Sequence, residues 1–111
     1  MKRLLFSVIV VSSALAQDPA AQKQKAVEVA EKNSVELRLD QPYADNSNPK
    51  QMVDVYLPKK RNTDKPLPVV AYIHGGGWIH GDRTGYASAC IQLARTGDYV
   101  AVAVGYRLTN E

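Results

Sequence analysis

The chain has 111 residues, of which 45% are hydrophobic and 23% are charged, a composition that fits a globular protein and excludes an intrinsically disordered one. Its formal net charge is +3, but Lys2 and Arg3 supply two of these charges from an N-terminal segment that we expect to be removed. The remaining charge of about +1 gives no electrostatic argument for binding nucleic acid or an anionic membrane surface. Cys90 is the only cysteine, which excludes an intrachain disulfide.

Residues 1–16 have the pattern of a secretory signal peptide. Lys2 and Arg3 precede an apolar run at 4–11, and Ala14-Leu15-Ala16 supplies the small-x-small pattern of a cleavage site. A membrane anchor is the alternative interpretation, but the run is well short of the ~20 apolar residues that span a bilayer. We therefore predict cleavage after Ala16, export to the periplasm or the medium, and no stable membrane anchor.

Residues 17–34 are predicted to be a helical or flexible spacer. The segment is rich in Ala, Gln, Lys and Glu, and Glu28 and Lys32 form a favourable i, i+4 pair for a helix. Its few apolar residues make only a narrow stripe along one side. The pattern therefore favours a solvated spacer between the signal peptide and the folded domain.

Two strands are predicted to follow the spacer. Val35–Leu39 and Met52–Leu57 both alternate apolar and polar residues, as half-buried strands do. The segment 41–50 between them is dense in Pro, Asn, Asp and Ser, which predicts a loop. We expect the pair to lie at the edge of a sheet, with the apolar residues of the second strand sharing one face.

The pattern changes in the second half of the chain. Leu67–Ile73 and Tyr99–Val104 are almost continuously apolar, which is typical of strands covered on both faces in a parallel sheet. Between them, four residues recur at i, i+3, i+4 and i+7 and predict one face of a helix: Ala87, Cys90, Ile91 and Ala94. Thr84 is the predicted N-cap of that helix and Gly97 its C-terminal stop. The order of strand, loop, helix and strand predicts a βαβ crossover.

The loop of this crossover carries the sequence His74-Gly75-Gly76-Gly77-Trp78. Consecutive glycines allow backbone conformations that a Cβ would forbid, and they can aim N–H groups into a cleft where negative charge develops. A dinucleotide-binding loop would need a glycine where His80 stands, and a P-loop would need a Gly-Lys-Ser/Thr ending that is absent. The loop therefore favours an oxyanion hole over a phosphate site.

A metal site is the other alternative for this region. His74, His80 and Asp82 would be its only candidate ligands. A zinc site usually needs three or four ligands with supporting hydrogen bonds, and these three residues form only a loose set. We predict no metal and no cofactor.

The glycine loop, Gly81-Asp82 and Tyr106-Arg107-Leu108 together resemble the α/β-hydrolase superfamily. The likeness is to the esterase and lipase branch with an HGGGW-type oxyanion motif, which includes hormone-sensitive-lipase-like and bacterial feruloyl-esterase-like carboxylesterases. It covers residues 35–111. The resemblance implies the N-terminal portion of an α/β-hydrolase fold, with a mixed, mostly parallel sheet, flanking helices and the strand order 1-2-4-3-5 onward.

The resemblance also implies roles for single residues. Gly76 and Gly77 would donate the oxyanion-hole hydrogen bonds, while His74 and Gly75 would support the loop. Four further residues would be structural: Trp78 packing the loop against the domain, Asp82 anchoring the loop or capping a helix, and Tyr106 and Arg107 bracketing the end of the fourth strand.

The catalytic triad of that family is absent from residues 1–111. None of the serines has a glycine two residues away on both sides, so the Gly-x-Ser-x-Gly nucleophile motif is missing. We therefore expect this chain to be the N-terminal part of a longer exported serine hydrolase acting on small-molecule carboxylic esters. By itself it should neither fold stably nor turn over substrate. An amidase or peptidase on the same fold, and a non-catalytic binding module, remain the alternatives.

Overall fold

The computed structural model describes residues 18–111; the predicted signal peptide and its cleavage site lie outside the described residues. The elements in chain order are α1 (Pro19–Lys32), β1 (Val35–Pro42), β2 (Met52–Pro58), β3 (Val69–Ile73), a short 3₁₀ turn (Arg83–Tyr86), α2 (Ala87–Ala94) and β4 (Val100–Val104). Within 18–111, no helix has both the length and the apolar character needed to cross a bilayer.

The four strands form one mixed sheet in the order β1-β2-β4-β3. β1 pairs with β2 and β2 with β4 in antiparallel fashion, whereas β3 and β4 are parallel. A parallel pair needs a crossover, and α2 supplies it between β3 and β4. The predicted strand order is thus confirmed for the first four strands. β3 lies at the edge of the described sheet, with Val69 and Ile73 exposed by 61% and 65%.

The hydrophobic core lies between the two helices and one face of the sheet. The sheet contributes Val35, Leu37, Tyr56, Ala101 and Ala103, and the helices contribute Ala30, Cys90, Ile91 and Ala94. α1 and α2 pack on the same side of the sheet, so within the described residues they cover one face, and the covering of the other face of β3 and β4 stays a prediction. α1 is also more than a solvated spacer, since Ala30 is completely buried against that core.

β2 illustrates how the alternating pattern misleads about burial. Val53, Val55 and Leu57 do share a face, but that face is only half-buried. Asp54 and Tyr56 point the other way and are 2% and 1% exposed. The charged residue of the strand therefore lies on the core side, where it needs a partner.

The start of α2 differs from the prediction. Thr84 is not the N-cap; Asp82 caps the 3₁₀ turn, its side chain accepting a hydrogen bond of 2.7 Å from the Thr84 N–H. α2 itself begins at Ala87, directly after that turn, and has no side-chain cap. Gly97 follows the end of the helix as predicted, and its N–H donates to the carbonyl of Ala94 at 3.1 Å.

Cys90 is expected to react with a thiol reagent at pH 8 only when the protein unfolds. The side chain is completely buried beneath α2, and burial raises the pKa of the thiol to about 11. The reactive thiolate is therefore both scarce and inaccessible in the native state. Ellman's reagent, added with and without guanidinium chloride, measures this directly. Stoichiometric labelling of the native protein within the mixing time would contradict the burial of Cys90.

Candidate active site

The glycine loop leaves β3 at a histidine that is tied to the neighbouring strand. His74 is 7% exposed, and its ring stacks on Tyr106, with centroids 4.1 Å apart and planes inclined by 9°. The Tyr106 hydroxyl donates a 2.7 Å hydrogen bond to the His74 carbonyl. Because Tyr106 follows β4, the start of the loop is fixed to both parallel strands. Arg107 is exposed and makes no hydrogen bond or ion pair within residues 18–111, so only Tyr106 brackets the loop.

The backbone of the loop makes a tight turn that depends on glycine at position 76. Gly76 has φ +129° and Gly77 has φ +62°, both in the left-handed region. The Gly76 carbonyl accepts the N–H groups of Ile79 and His80, each at 3.3 Å. A Cβ at position 76 would lie 1.9 Å from the His80 carbonyl oxygen, so no other residue fits without moving the loop.

Two backbone N–H groups of this loop donate no hydrogen bond within the described residues. Within residues 18–111, neither the Gly76 nor the Gly77 N–H donates to a protein acceptor. The space beside the loop is open, since a Cβ built at Gly75 or Gly77 would meet no atom within 4 Å. The loop therefore carries two backbone donors that have no protein acceptor, with open space at Gly75 and Gly77.

Trp78 does not pack the loop against the domain, contrary to the prediction. The residue is 70% exposed. Its backbone is the anchor instead, because the Trp78 carbonyl accepts the Thr109 N–H at 2.8 Å and the Thr109 hydroxyl at 3.2 Å. Trp78 has φ +63°, and in this turn its carbonyl faces the protein while its side chain stays on the outer surface.

The far end of the loop is held by a partly buried arginine, Arg83. The Arg83 side chain is 12% exposed, and its Nε donates to Asp54 Oδ1 at 3.0 Å. Its terminal nitrogens donate to the Asp40 carboxylate and, at 3.3 Å, to the Pro49 carbonyl. Asp54 Oδ1 also accepts the backbone N–H of Asp40 at 3.0 Å. The side-chain hydrogen bonds of Arg83 thus reach β1, β2 and the loop between them.

Charge is balanced in this cluster. Asp40 pairs with Lys23 of α1 as well as with Arg83, so two carboxylates face two cations. The hydrogen bond from Lys23, with help from Arg83, holds the pKa of Asp40 below its usual value despite partial burial. Burial works to lower the pKa of Arg83, but the two carboxylates outweigh it and the pKa is raised. Asp40 and Arg83 are therefore both charged at neutral pH.

Comparison with known proteins identifies the family to which this chain belongs. Residues 53–111, more than half of the chain, match the family model described as BD-FAE. The chain belongs to the BD-FAE family. The matched segment contains the glycine loop, Asp54, Arg83 and Tyr106.

The relatives of this BD-FAE chain are esterases. It is 38% identical over 58 residues to "Probable carboxylesterase 16" of Arabidopsis thaliana, covering 50% of this chain and 13% of that protein. It is 39% identical over 57 residues to Esterase LipI of Mycobacterium tuberculosis, covering 51% and 18%. The chain thus spans less than a fifth of the length of these curated relatives.

A solved structure confirms the fold class. Esterase B from Lactobacillus rhamnosis superimposes with a TM-score of 0.61 at 32% identity, covering 81% of this chain and 30% of that one. The described part of the BD-FAE chain therefore has the architecture of an α/β-hydrolase esterase, with its mixed sheet and flanking helices.

The described residues of the BD-FAE chain form neither a metal site nor a serine nucleophile site. His74, His80 and Asp82 form no metal-binding group, since within residues 18–111 no group of three or more His, Cys, Asp and Glu side chains is placed to hold a metal ion. Ser88 lies on the exposed side of α2, where its hydroxyl accepts a 3.4 Å hydrogen bond from the Gln92 amide. That serine has the surroundings of a helix surface, not of a nucleophile.

Replacing Asp82 with alanine is expected to lower the unfolding free energy by about 1 kcal/mol at pH 7, since a cap is lost. Hydrogen bonds from the Thr84 hydroxyl and N–H hold the pKa of Asp82 below its usual value. Its contribution is therefore present above the unfolded-state pKa of about 3.9 and is lost as pH falls through the lower native pKa. Unfolding titrations at pH 7 and pH 3 should show the difference between the variant and the unaltered protein shrinking in acid. Asp64→Ala, in an exposed loop, is the control; an undiminished difference at pH 3 would contradict the role of the carboxylate.

Proposed function

We propose that this chain supplies the oxyanion-hole loop of an exported serine hydrolase that acts on carboxylic esters. The observation that carries the proposal is the pair of uncommitted N–H groups at Gly76 and Gly77, beside open space on a loop fixed at both ends. Donors of this kind stabilise a developing oxyanion by about 2.7–4 kcal/mol each. The esterase relatives support an ester as the substrate class.

In the proposed reaction, a serine hydroxyl gives its proton to a histidine while its oxygen attacks the ester carbonyl carbon, and the carbonyl oxygen becomes an anion. Gly76 and Gly77 donate hydrogen bonds to this oxyanion. The carbon–oxygen bond to the alcohol then breaks, the alcohol leaves with a proton from a histidine, and water hydrolyses the acyl-enzyme. His74 is not that histidine, because its ring is buried against Tyr106. The nucleophile, the acid and the base are proposed to come from sequence beyond residues 1–111, since these contain no Gly-x-Ser-x-Gly.

A small-molecule ester with a short acyl chain is the natural test substrate. One structure of the related esterase B, which is 30% identical to this chain, is described as inhibited with a C4-C4 tributyrin phosphonate. A phosphonate places an anionic oxygen where the tetrahedral intermediate has its own. Such a compound probes both the serine and the oxyanion donors.

The deciding experiment uses the complete open reading frame that contains residues 1–111. We expect the protein to hydrolyse p-nitrophenyl butyrate much faster than the matching anilide, and a butyl phosphonate to label one serine in a Gly-x-Ser-x-Gly sequence. Faster turnover of the anilide would make the protein an amidase or peptidase. Binding of butyrate esters without turnover would make it a non-catalytic binding module.

The export part of the proposal has its own test. The pattern of residues 1–16 supports a signal peptide cleaved after Ala16, which would leave Gln17 as the first mature residue. Mass spectrometry of the protein from culture medium and periplasm should find that N-terminus. Protein found only in the cytoplasm and still carrying residues 2–16 would contradict export.

A further inference from the structure

We propose that Arg83 is a positioning residue for the oxyanion loop, acting through its hydrogen bonds to Asp54 and Asp40. The inference rests on the proposed function of the loop. It concerns the far end of the loop, which the glycine motif itself does not fix. Arg83 touches neither Gly76 nor Gly77, so its effect on catalysis would be exerted entirely through the backbone.

The chemistry of the contact requires an arginine. A planar guanidinium makes several hydrogen bonds in fixed directions, whereas a lysine ammonium is a compact charge on a flexible stem. Arg83 uses three of its nitrogens on three different acceptors. A lysine at this position would keep the charge and lose the geometry.

Asp54 is held so firmly that it can act as a fixed point for Arg83. Its side chain is 3% exposed, and Oδ1 accepts from both Arg83 and the Asp40 backbone. The Asp40 N–H reaches it because β1 is irregular there: the pairing register shifts between Arg38 and Gln41, and Asp40 has φ +55°. β-bulges re-aim backbone and side-chain groups in this way. The bulge in β1 therefore completes the anchor for the loop.

Besides the hydrogen bonds from Thr109 to the Trp78 carbonyl in its middle, the loop is anchored at its two ends, on opposite sides of β4 in the sheet. Its start, at His74, is tied through Tyr106 to the end of β4 and follows the edge strand β3. Its end, at Arg83, is tied to β2 and β1. Gly76 and Gly77 lie between these points, so a shift of either anchor displaces their N–H groups. A misplacement of about 1 Å can cost ~100-fold in rate.

A buried ion pair of this kind is a poor device for stability alone. Desolvation offsets most of the attraction, and apolar replacements of similar volume are often neutral or stabilising. Apolar contacts are not directional, so they would not fix the orientation of the loop as the hydrogen bonds of Arg83 do. We therefore assign the charged cluster at the end of this loop a role in fixing the loop geometry.

The test is Arg83→Lys in the complete protein, with p-nitrophenyl butyrate as substrate. We expect kcat to fall by ~10- to 100-fold with KM changed less than twofold, since only the transition state uses the oxyanion donors. The rate constant of inactivation by the butyl phosphonate should fall in parallel. Arg38→Lys is the matched control, because Arg38 also pairs with a carboxylate but lies exposed on the surface. A variant that melts at a lower temperature but keeps the normal kcat well below melting would overturn the proposal.

Asp40→Asn decides the question if Arg83→Lys fails to fold. Asp40 is partly exposed, and asparagine keeps its shape and its backbone N–H while losing one ionic partner of Arg83. We expect a smaller fall in kcat, again with KM preserved. An unchanged kcat in this folded variant would overturn the positioning role.

Trp78 gives a readout that does not depend on activity. It lies on the loop, so a fluorotryptophan at this position, assigned with Trp78→Phe, reports loop geometry by ¹⁹F NMR. Arg83→Lys or Asp40→Asn should shift or broaden that resonance, and Arg38→Lys should not. If the unaltered protein proved inactive on esters, the proposed function would be contradicted, and with it the effect of Arg83 on catalysis. An unchanged resonance in an active protein would overturn the positioning role alone.

Discussion

Gly76→Ala is expected to lower kcat for ester hydrolysis in the complete protein by ~100- to 1,000-fold, the loss seen when an oxyanion donor is removed. The added Cβ would lie 1.9 Å from the His80 carbonyl oxygen, and φ +129° is a conformation that alanine rarely adopts. The loop must open at the turn that aims the Gly76 and Gly77 N–H groups. Initial rates with p-nitrophenyl butyrate give kcat and KM, and circular dichroism verifies that the domain stays folded.

Gly85→Ala is the matched control for that substitution. Gly85 lies in the 3₁₀ turn after the loop, without a positive φ, and a Cβ there would meet no atom within 4 Å. Its kcat should equal that of the unaltered protein. Near-normal activity in a folded Gly76→Ala protein would show that the loop does not supply the oxyanion hole.

Asp54→Ala is expected to reduce the unfolding free energy by about 3–5 kcal/mol, the loss found when one partner of a buried ion pair is removed. The substitution removes the more deeply buried of the two carboxylates that pair with the Arg83 guanidinium, which is itself 12% exposed. It also removes the acceptor for the Asp40 N–H. A urea titration of the purified protein, with the slope of the transition held constant, measures the change.

Two comparisons separate the buried charge from general effects of truncation. Glu36→Ala removes a surface ion pair with Arg38 and should cost less than about 1 kcal/mol. Asp54→Ala combined with Arg83→Met should be more stable than Asp54→Ala alone, because the largely buried guanidinium, which would then keep Asp40 as its one carboxylate partner, is removed as well. Equal stabilities for the single and double variants would mean that the buried charge of Arg83 carries no penalty.

The glycine loop was accessible from sequence because its chemistry is local. Three adjacent glycines between an apolar strand and a helix pattern restrict what the backbone there can do, and Tyr106 stands at a recognisable distance after the next strand. The cluster beneath the loop carried no comparable signal. Asp54 alternates with valines in β2, so it resembled a solvent-facing strand residue, and nothing in the sequence marked Arg83 as buried.

The exposure of individual side chains was also harder to predict from the sequence than the elements were. Trp78 was expected to pack the loop because of the resemblance, yet its side chain is 70% exposed within residues 18–111. The valines of β2 share one face of the strand, yet that face is only half-buried, while Asp54 and Tyr56 face the core. The periodicity of β2 predicted the strand but not which of its faces is buried.

The sequence by itself determined the βαβ order, the strand order through its resemblance to the α/β hydrolases, and the position of the glycine loop. The βαβ order and the loop position follow from hydrophobic periodicity and the conformational freedom of glycine, which act over a few neighbouring residues, whereas the strand order rests on the resemblance alone. Only the tertiary structure decided what holds the loop in place. Asp40, Asp54 and Arg83 lie far apart in the chain and meet because a bulge in β1, the pairing of β1 with β2 and the turn after the loop converge. Burial then turns three ordinary charged residues into a fixed anchor, since charges removed from water must satisfy one another.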